Sequence, residues 1–366
     1  MNNKIEKIQR WMQQNNVDIT LISNPKTIQY LTQFYSDPIE RVLMLVIFED
    51  KDPFIFCPEL EVGSVKEVGW NHSVYGYQDQ EDPWKIFASQ IRSRKVPNQV
   101  IAIEKDALTI DRLESLKQVL PSSQFSVNAI PMIEQMKLIK STQEIEKLKI
   151  AGKWADFAFN EGFKAVQLGR TEAQVAAELQ YSLMKKGIME LSFPTLIQAG
   201  AHAAEPHGAT SSNKIENNQL VLFDLGTMWQ GYASDASRTV AIGKPADKLL
   251  DMYNVCLEAQ LAAQEAVKPG IKAEELDKIA RDIIAKAGYG EYFIHRLGHG
   301  LGMSDHEFPS IMKRNKMLLQ KRMCFSIEPG IYIPGFAGVR IEDCVYVTEN
   351  GCQAFTHTSK ELQYID

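Results

Sequence analysis

Four acidic residues stand where strand-forming sequence is otherwise apolar or small. Asp224 lies in QLVLFDLG, Asp235 in GYASDASRTVAIG, Glu328 in MCFSIEPGIYI and Glu342 in GVRIEDCVYV. A carboxylate among Val, Leu, Ile and Phe is costly to bury unless it is paired or bound to a cation. If the first two segments form a tight hairpin, its midpoint falls between Trp229 and Gln230; for the second two it falls at Gly335. Each hairpin then sets two carboxylates opposite one another, where like charges repel. Alternation along the last strand puts Arg340, Glu342 and Cys344 on one face and Val339, Ile341 and Val345 on the other. Either pair alone could be a turn cap or a solvated face. Two such pairs point to a shared cation.

Histidines supply the other ligand type. HRLGHGLGMSDHEFP carries His295, His299 and His306, three of the seven in the chain, and Gly298, Gly300 and Gly302 allow close backbone approach around His299. His207 lies in AAEPHGAT. Other templates fail. GHGLG is not the G-x-G-x-x-G of a dinucleotide cradle, His306-Glu307 has no second histidine at helical zincin spacing, and no G-x-S-x-G elbow is present.

The elements that must position these residues follow from periodicity. The first third alternates amphipathic helical stretches with the β-rich runs VDITLIS, RVLMLVIFED, PFIFCP, SVYGY and QVIAIE, which predicts an α/β domain. The rhythm breaks between residues 128 and 141, so the boundary is placed there, with domains over 1–130 and 135–366. Ser141 and Glu144 form a capping box that opens a long helix with Ile145, Leu148, Ala151 and Trp154 inward. Thr171 and Gln174 open a second, and Pro269-Gly270 separates two more. Helices mixed with paired strands predict an α+β second domain.

Composition narrows the class. A chain of 366 residues, 45% hydrophobic and 23% charged, is long enough for two folded domains. Net charge is −6 and no Lys/Arg block is interleaved with aromatics, which argues against a nucleic-acid partner. The start, MNNKIEKIQRWMQQNN, lacks the apolar core of a signal peptide, and no stretch approaches the roughly 18 apolar residues of a membrane span. A cytoplasmic protein without membrane partners is expected. The five cysteines form no C-x-x-C and read as reduced packing residues.

Together FDLG, GYASDASRTV, HRLGHGLG, HEFP, SIEPGIY and GVRIED resemble the signature of the pita-bread metallopeptidases, the family of methionine aminopeptidase, aminopeptidase P and prolidase. The likeness runs from residue 135 to the end, and the first part resembles the creatinase-type domain of the proline-specific members. FYSDPIER and KELQY look most like the short bacterial Xaa-Pro dipeptidases. The resemblance implies that Asp224, Asp235, His299, Glu328 and Glu342 are metal ligands, with Asp235 and Glu342 bridging. Four carboxylates balance two divalent ions, and an oxygen-rich set with one imidazole and no thiolate favours Mn2+, Co2+ or Zn2+; the resemblance puts Mn2+ first, with Zn2+ or Co2+ as alternatives.

The implied reaction is attack of a metal-bridging hydroxide on the carbonyl of an Xaa-Pro dipeptide. Glu328 is then the proton shuttle, and His207 and His306 hydrogen-bond the substrate and the developing oxyanion. Arg296 is the candidate grip on the proline carboxylate, and Arg340, counted with it among the substrate-binding residues, orients Glu342. A homodimer is implied as well. An aminopeptidase acting on longer Xaa-Pro peptides shares every ligand and stays open, as does a non-catalytic interaction module on the same fold. Asp305 and Ile39 depart from the pattern of relatives, beside the catalytic histidine and in the SDPIER stretch.

Overall fold

The computed structural model describes residues 2–365, and the chain divides into two compact units, Met1–Met136 and Lys137–Asp366. In the first, every expected run becomes a strand: β1 (Ile19–Ile22), β2 (Met44–Phe48), β3 (Phe54–Pro58), β4 (Ser73–Tyr77) and β5 (Val100–Ile103). A sixth, β6 (Gln124–Asn128), was not expected. It is a sheet edge, and its alternation of polar residues with Phe125 and Val127 leaves it half exposed. The order is β4-β3-β2-β1-β5-β6, antiparallel on both sides of β2 and parallel elsewhere. The central strands are buried throughout, which explains their near-continuous apolar sequence. Glu104 joins the ends of β5 and β1 by accepting the N–H groups of Ser23 and Asn24, both at 2.8 Å.

The segment read as a break in rhythm is itself helical over Ile130–Leu138. Its apolar residues, Ile130, Met132, Ile133, Met136 and Leu138, do not form a single helical stripe, so periodicity did not reveal it.

In the second unit Ser141 and Thr171 cap the helices Thr142–Ala165 and Glu172–Lys185 through complete capping boxes. Ile145, Leu148 and Ala151 are buried as expected. Trp154 is only partly buried, because the inward stripe continues through Ala155, Ala158 and Phe159. This helix pair packs on a sheet of order β19-β11-β8-β7, formed by β7 (Leu196–Ala199), β8 (Gln219–Leu225), β11 (Ala236–Ile242) and β19 (Tyr364–Ile365). The helices Asp247–Glu265 and Ala273–Lys286 pack on a second sheet, β13-β12-β14-β17-β18. Its strands are β12 (Gly298–Gly300), β13 (Glu307–Ile311), β14 (Cys324–Ile327), β17 (Asp343–Val347) and β18 (Cys352–Ala354). Two short hairpins complete the unit, β9 (Met228–Trp229) with β10 (Tyr232–Ala233) and β15 (Gly330–Ile333) with β16 (Ala337–Arg340). Two helix pairs backing two sheets, antiparallel except where β19 runs parallel to β11, make the pita-bread arrangement.

All five cysteines are free, and Cys57, Cys256, Cys324 and Cys344 are buried. Among the described residues no helix is long and apolar enough to cross a membrane.

Candidate metal centre

Both carboxylate hairpins form; the second keeps the register of its midpoint at Gly335, and the first is shifted by one residue. In the first, Gln230 and Gly231 take the left-handed conformation at φ 47° and 79°, so the turn is centred one residue later than expected. Asp224 therefore lies opposite Ser237, and Asp235 lies diagonally from it in the gap between β10 and β11. In the second, Ile327 opposes Asp343 and Gly330 opposes Arg340, so Glu328 and Glu342 face each other where the ladder opens between them. Val339, Ile341 and Val345 point into the core, as alternation predicts.

These interruptions converge. A cavity of about 480 Å³ is lined by Asp224, Asp235, His299, Glu328 and Glu342 together with His207, Arg296, Asp305, His306 and Arg340. Ligand atoms of Asp235, His299 and Glu342 lie within 4.8 Å of one another. His299 Nε2 is 3.1 Å from Glu328 Oε1 and 3.6 Å from Asp235 Oδ2. Arg340 Nη2 donates to Asp224 Oδ2 at 2.5 Å, while Asp224 Oδ1 is buried without a protein partner. Glu342 is in the same condition: Oε2 accepts from Ser237 Oγ at 2.7 Å, and buried Oε1 has none.

Electrostatics point the same way. Burial, then the neighbouring carboxylates, pushes Asp235 and Glu342 well above the usual carboxylate range. Burial alone would lower His299, but Glu328 more than reverses this and holds the imidazole above its ordinary value. Glu328 is held low: burial opposes its charge, and His299 overcomes that. Orphaned oxygens, crowded negative charge and one imidazole are what a hard or borderline divalent cation requires, so these residues fit a metal.

The supporting contacts include several that sequence reasoning missed. Arg340 reaches Glu342 through an intermediary, its Nε donating at 2.8 Å to Ser237 Oγ, and it also donates to Tyr332 Oη at 2.9 Å. Ser326 accepts the His299 N–H and donates to Glu328 Oε1, both at 2.9 Å. Ser237 and Ser326 each lie two residues from a ligand candidate, so strand alternation was the available signal. Tyr332 carried no such signal; its Oη lies 3.0 Å from Nε2 of His295, one of the three histidines of the glycine-rich segment. Behind the site, Arg238 Nη1 donates to the Glu342 carbonyl at 2.5 Å and Nη2 to Asp343 Oδ1 at 2.7 Å.

His207 and His306 stand on exposed turns. His306 stacks on His299 with ring centroids 3.7 Å apart. Arg296 Nη2 faces His306 Nδ1 at 3.2 Å, and Arg296 Nη1 donates to Ser310 Oγ at 2.8 Å. A guanidinium can only donate, so Nδ1 accepts and the neutral imidazole carries its proton on Nε2. The segment that carries His207 is closed at its two ends by Glu172, which is fully buried and accepts from Ala199 N–H, Ser211 N–H and Oγ, and Asn213 Nδ2 at 2.8–3.0 Å. Ile39, in contrast, is 77% exposed on a surface turn where Arg41 pairs with Asp79.

A pita-bread unit with an oxygen-rich ligand cluster in its cleft, preceded by a separate α/β unit, defines a metal-dependent hydrolase of the peptidase type. Residues 146–349 match the model of metallopeptidase family M24, and residues 4–139 match the creatinase/prolidase N-terminal domain. The chain belongs to metallopeptidase family M24. It is 53% identical over 362 residues to an Xaa-Pro dipeptidase of Lactobacillus helveticus, covering 99% of this chain and 98% of that protein. An Xaa-Pro dipeptidase of Lactobacillus delbrueckii subsp. lactis is 51% identical with the same coverage. Among solved structures, recombinant prolidase from Thermococcus sibiricus superposes with a TM-score of 0.94 at 33% identity, covering 99% of this chain and 98% of that one.

Proposed function

We propose that this chain is an Xaa-Pro dipeptidase that releases proline, and that Asp224, Asp235, His299, Glu328 and Glu342 hold two divalent ions, Mn2+ first, with Zn2+ or Co2+ as alternatives. The observation that carries the reading is the convergence of these five side chains in one cavity, with unpartnered oxygens on Asp224 and Glu342. Four carboxylates balance two divalent charges, whereas one ion leaves two negative charges among buried groups. When bound, the ions supply a nucleophile from water at neutral pH and polarise the substrate carbonyl.

The chain's own groups do the rest. Glu328 holds the transferred proton on its carboxylate and passes it to the proline nitrogen as the C–N bond breaks. His306, with its proton on Nε2, donates to the carbonyl oxygen as negative charge develops, and His207 contributes a second hydrogen bond from the cavity lining. Arg296 keeps donors beyond those facing Ser310 and His306, and these take the proline carboxylate. Arg340 is committed to Asp224, Ser237 and Tyr332, so it serves substrate binding by fixing the wall of the site. Proline has a fixed φ and no amide hydrogen, so the cavity recognises its shape.

Incubation of the Mn-loaded protein with an Xaa-Pro dipeptide, an Xaa-Pro tripeptide and a Met-Ala peptide tests this. Cleavage of the dipeptide alone is expected. Dominant cleavage of the tripeptide moves the assignment to an aminopeptidase, and no cleavage with any metal leaves a non-catalytic module.

A further inference from the structure

Glu307 adjoins His306 but takes no part in the ligand cluster. Its side chain is 8% exposed and lies 3.1 Å from Lys140 Nζ, itself 2% exposed. Burial would push the Glu307 carboxyl up, yet Lys140 holds it below the usual range. The carboxylate also accepts the N–H groups of Met303 at 3.0 Å and Ser304 at 3.4 Å. It packs so closely on Gly302 that a Cβ there would lie 2.3 Å from Oε2. Lys140 is fixed in turn, its backbone N–H donating to the Arg322 carbonyl at 3.0 Å.

The loop this pair closes, residues 301–305, is the chain between His299 and His306. Its ends lie in a ladder that shifts register, with His299 opposite Ser310 and Gly300 opposite Glu307. A buried ion pair adds little net stability over an apolar pair of the same shape, so what it contributes is the placement of the groups around it. Lys140 does not line the cavity.

We propose that the Lys140–Glu307 pair is a positioning device for the reaction: it sets the loop 301–305 so that His306 stands over His299, which makes Lys140 necessary for turnover. This rests on the peptidase reading.

The test compares Lys140→Met, Lys140→Arg and Glu307→Gln with the metal-loaded wild type, each also in a His306→Ala background. Lys140→Met is expected to lower kcat about tenfold or more with KM changed by less than about twofold, since a displaced group acts mainly on the transition state. Metal content stays at the wild-type value, and Lys140→Arg recovers most of the rate. In the His306→Ala background the same change lowers kcat by less than about twofold, because the two residues act as one unit. Hydrogen exchange at Met303 and Ser304 speeds up in Lys140→Met. Wild-type kcat, or losses that multiply in the double variant, overturns the proposal. If Lys140→Met does not fold, the near-isosteric Glu307→Gln decides by the same measures. If the wild type cleaves no Xaa-Pro dipeptide, the peptidase reading fails by itself, and unchanged exchange at Met303 and Ser304 then overturns the positioning role.

Discussion

Asp235 and Glu342 sit where negative charge is least favourable, and burial with neighbouring carboxylates raises the pKa of both. A carboxyl raised in the folded state lowers stability above its unfolded pKa, and the penalty is complete above the folded pKa. A cation must displace the competing protons, so metal affinity falls as pH drops through the raised range. Calorimetric titration of metal in two buffers of different ionisation enthalpy should show proton release, and identical heats would count against it. Asp235→Asn should weaken metal binding by about 100-fold or more, on the scale of the larger metal-site perturbations. The metal-free variant should nevertheless be more stable than metal-free wild type at pH 7 by about 1–3 kcal/mol, because one repelling charge is gone. At this scale the sequence was legible where type and context conflict: an acid inside an apolar strand, or a histidine among glycines. Ser237 and Tyr332 have no such conflict, since their roles exist only once Arg340 folds against them.

Elements turn those residues into a site through register. The second hairpin was legible because its turn is centred on Gly335, and the first was misplaced because Gln230 takes a left-handed conformation that side-chain patterning does not announce. Close strand approach was only partly readable. A Cβ on Gly298 would lie 1.9 Å from the Ser326 carbonyl, between β12 and β14, one residue before His299. Gly298→Ala should therefore destabilise the fold by about 1–3 kcal/mol through overpacking and weaken metal binding by moving His299. Gly63→Ala, with nothing within 4 Å and a helical backbone, is the control, and thermal unfolding should find it neutral to slightly stabilising. Equal melting temperatures for the two variants would remove the packing argument.

For the whole molecule, strand alternation and capping boxes fixed most of the architecture, while β6 and the helix Ile130–Leu138 escaped because neither has a clean apolar face. A homodimer is expected, and sedimentation at micromolar concentration should give twice the mass of one chain; a single-chain mass would contradict that assembly. We propose that the buried carboxylates and His299 hold ions that make water reactive. Stripping the protein of metal and titrating Mn2+ while following cleavage of an Xaa-Pro dipeptide puts this to the test. No cleavage is expected at the start, then a rise to a plateau at two ions per chain, and no plateau for Asp235→Asn. Full cleavage by the stripped protein, or saturation indifferent to the loss of Asp235, would contradict it.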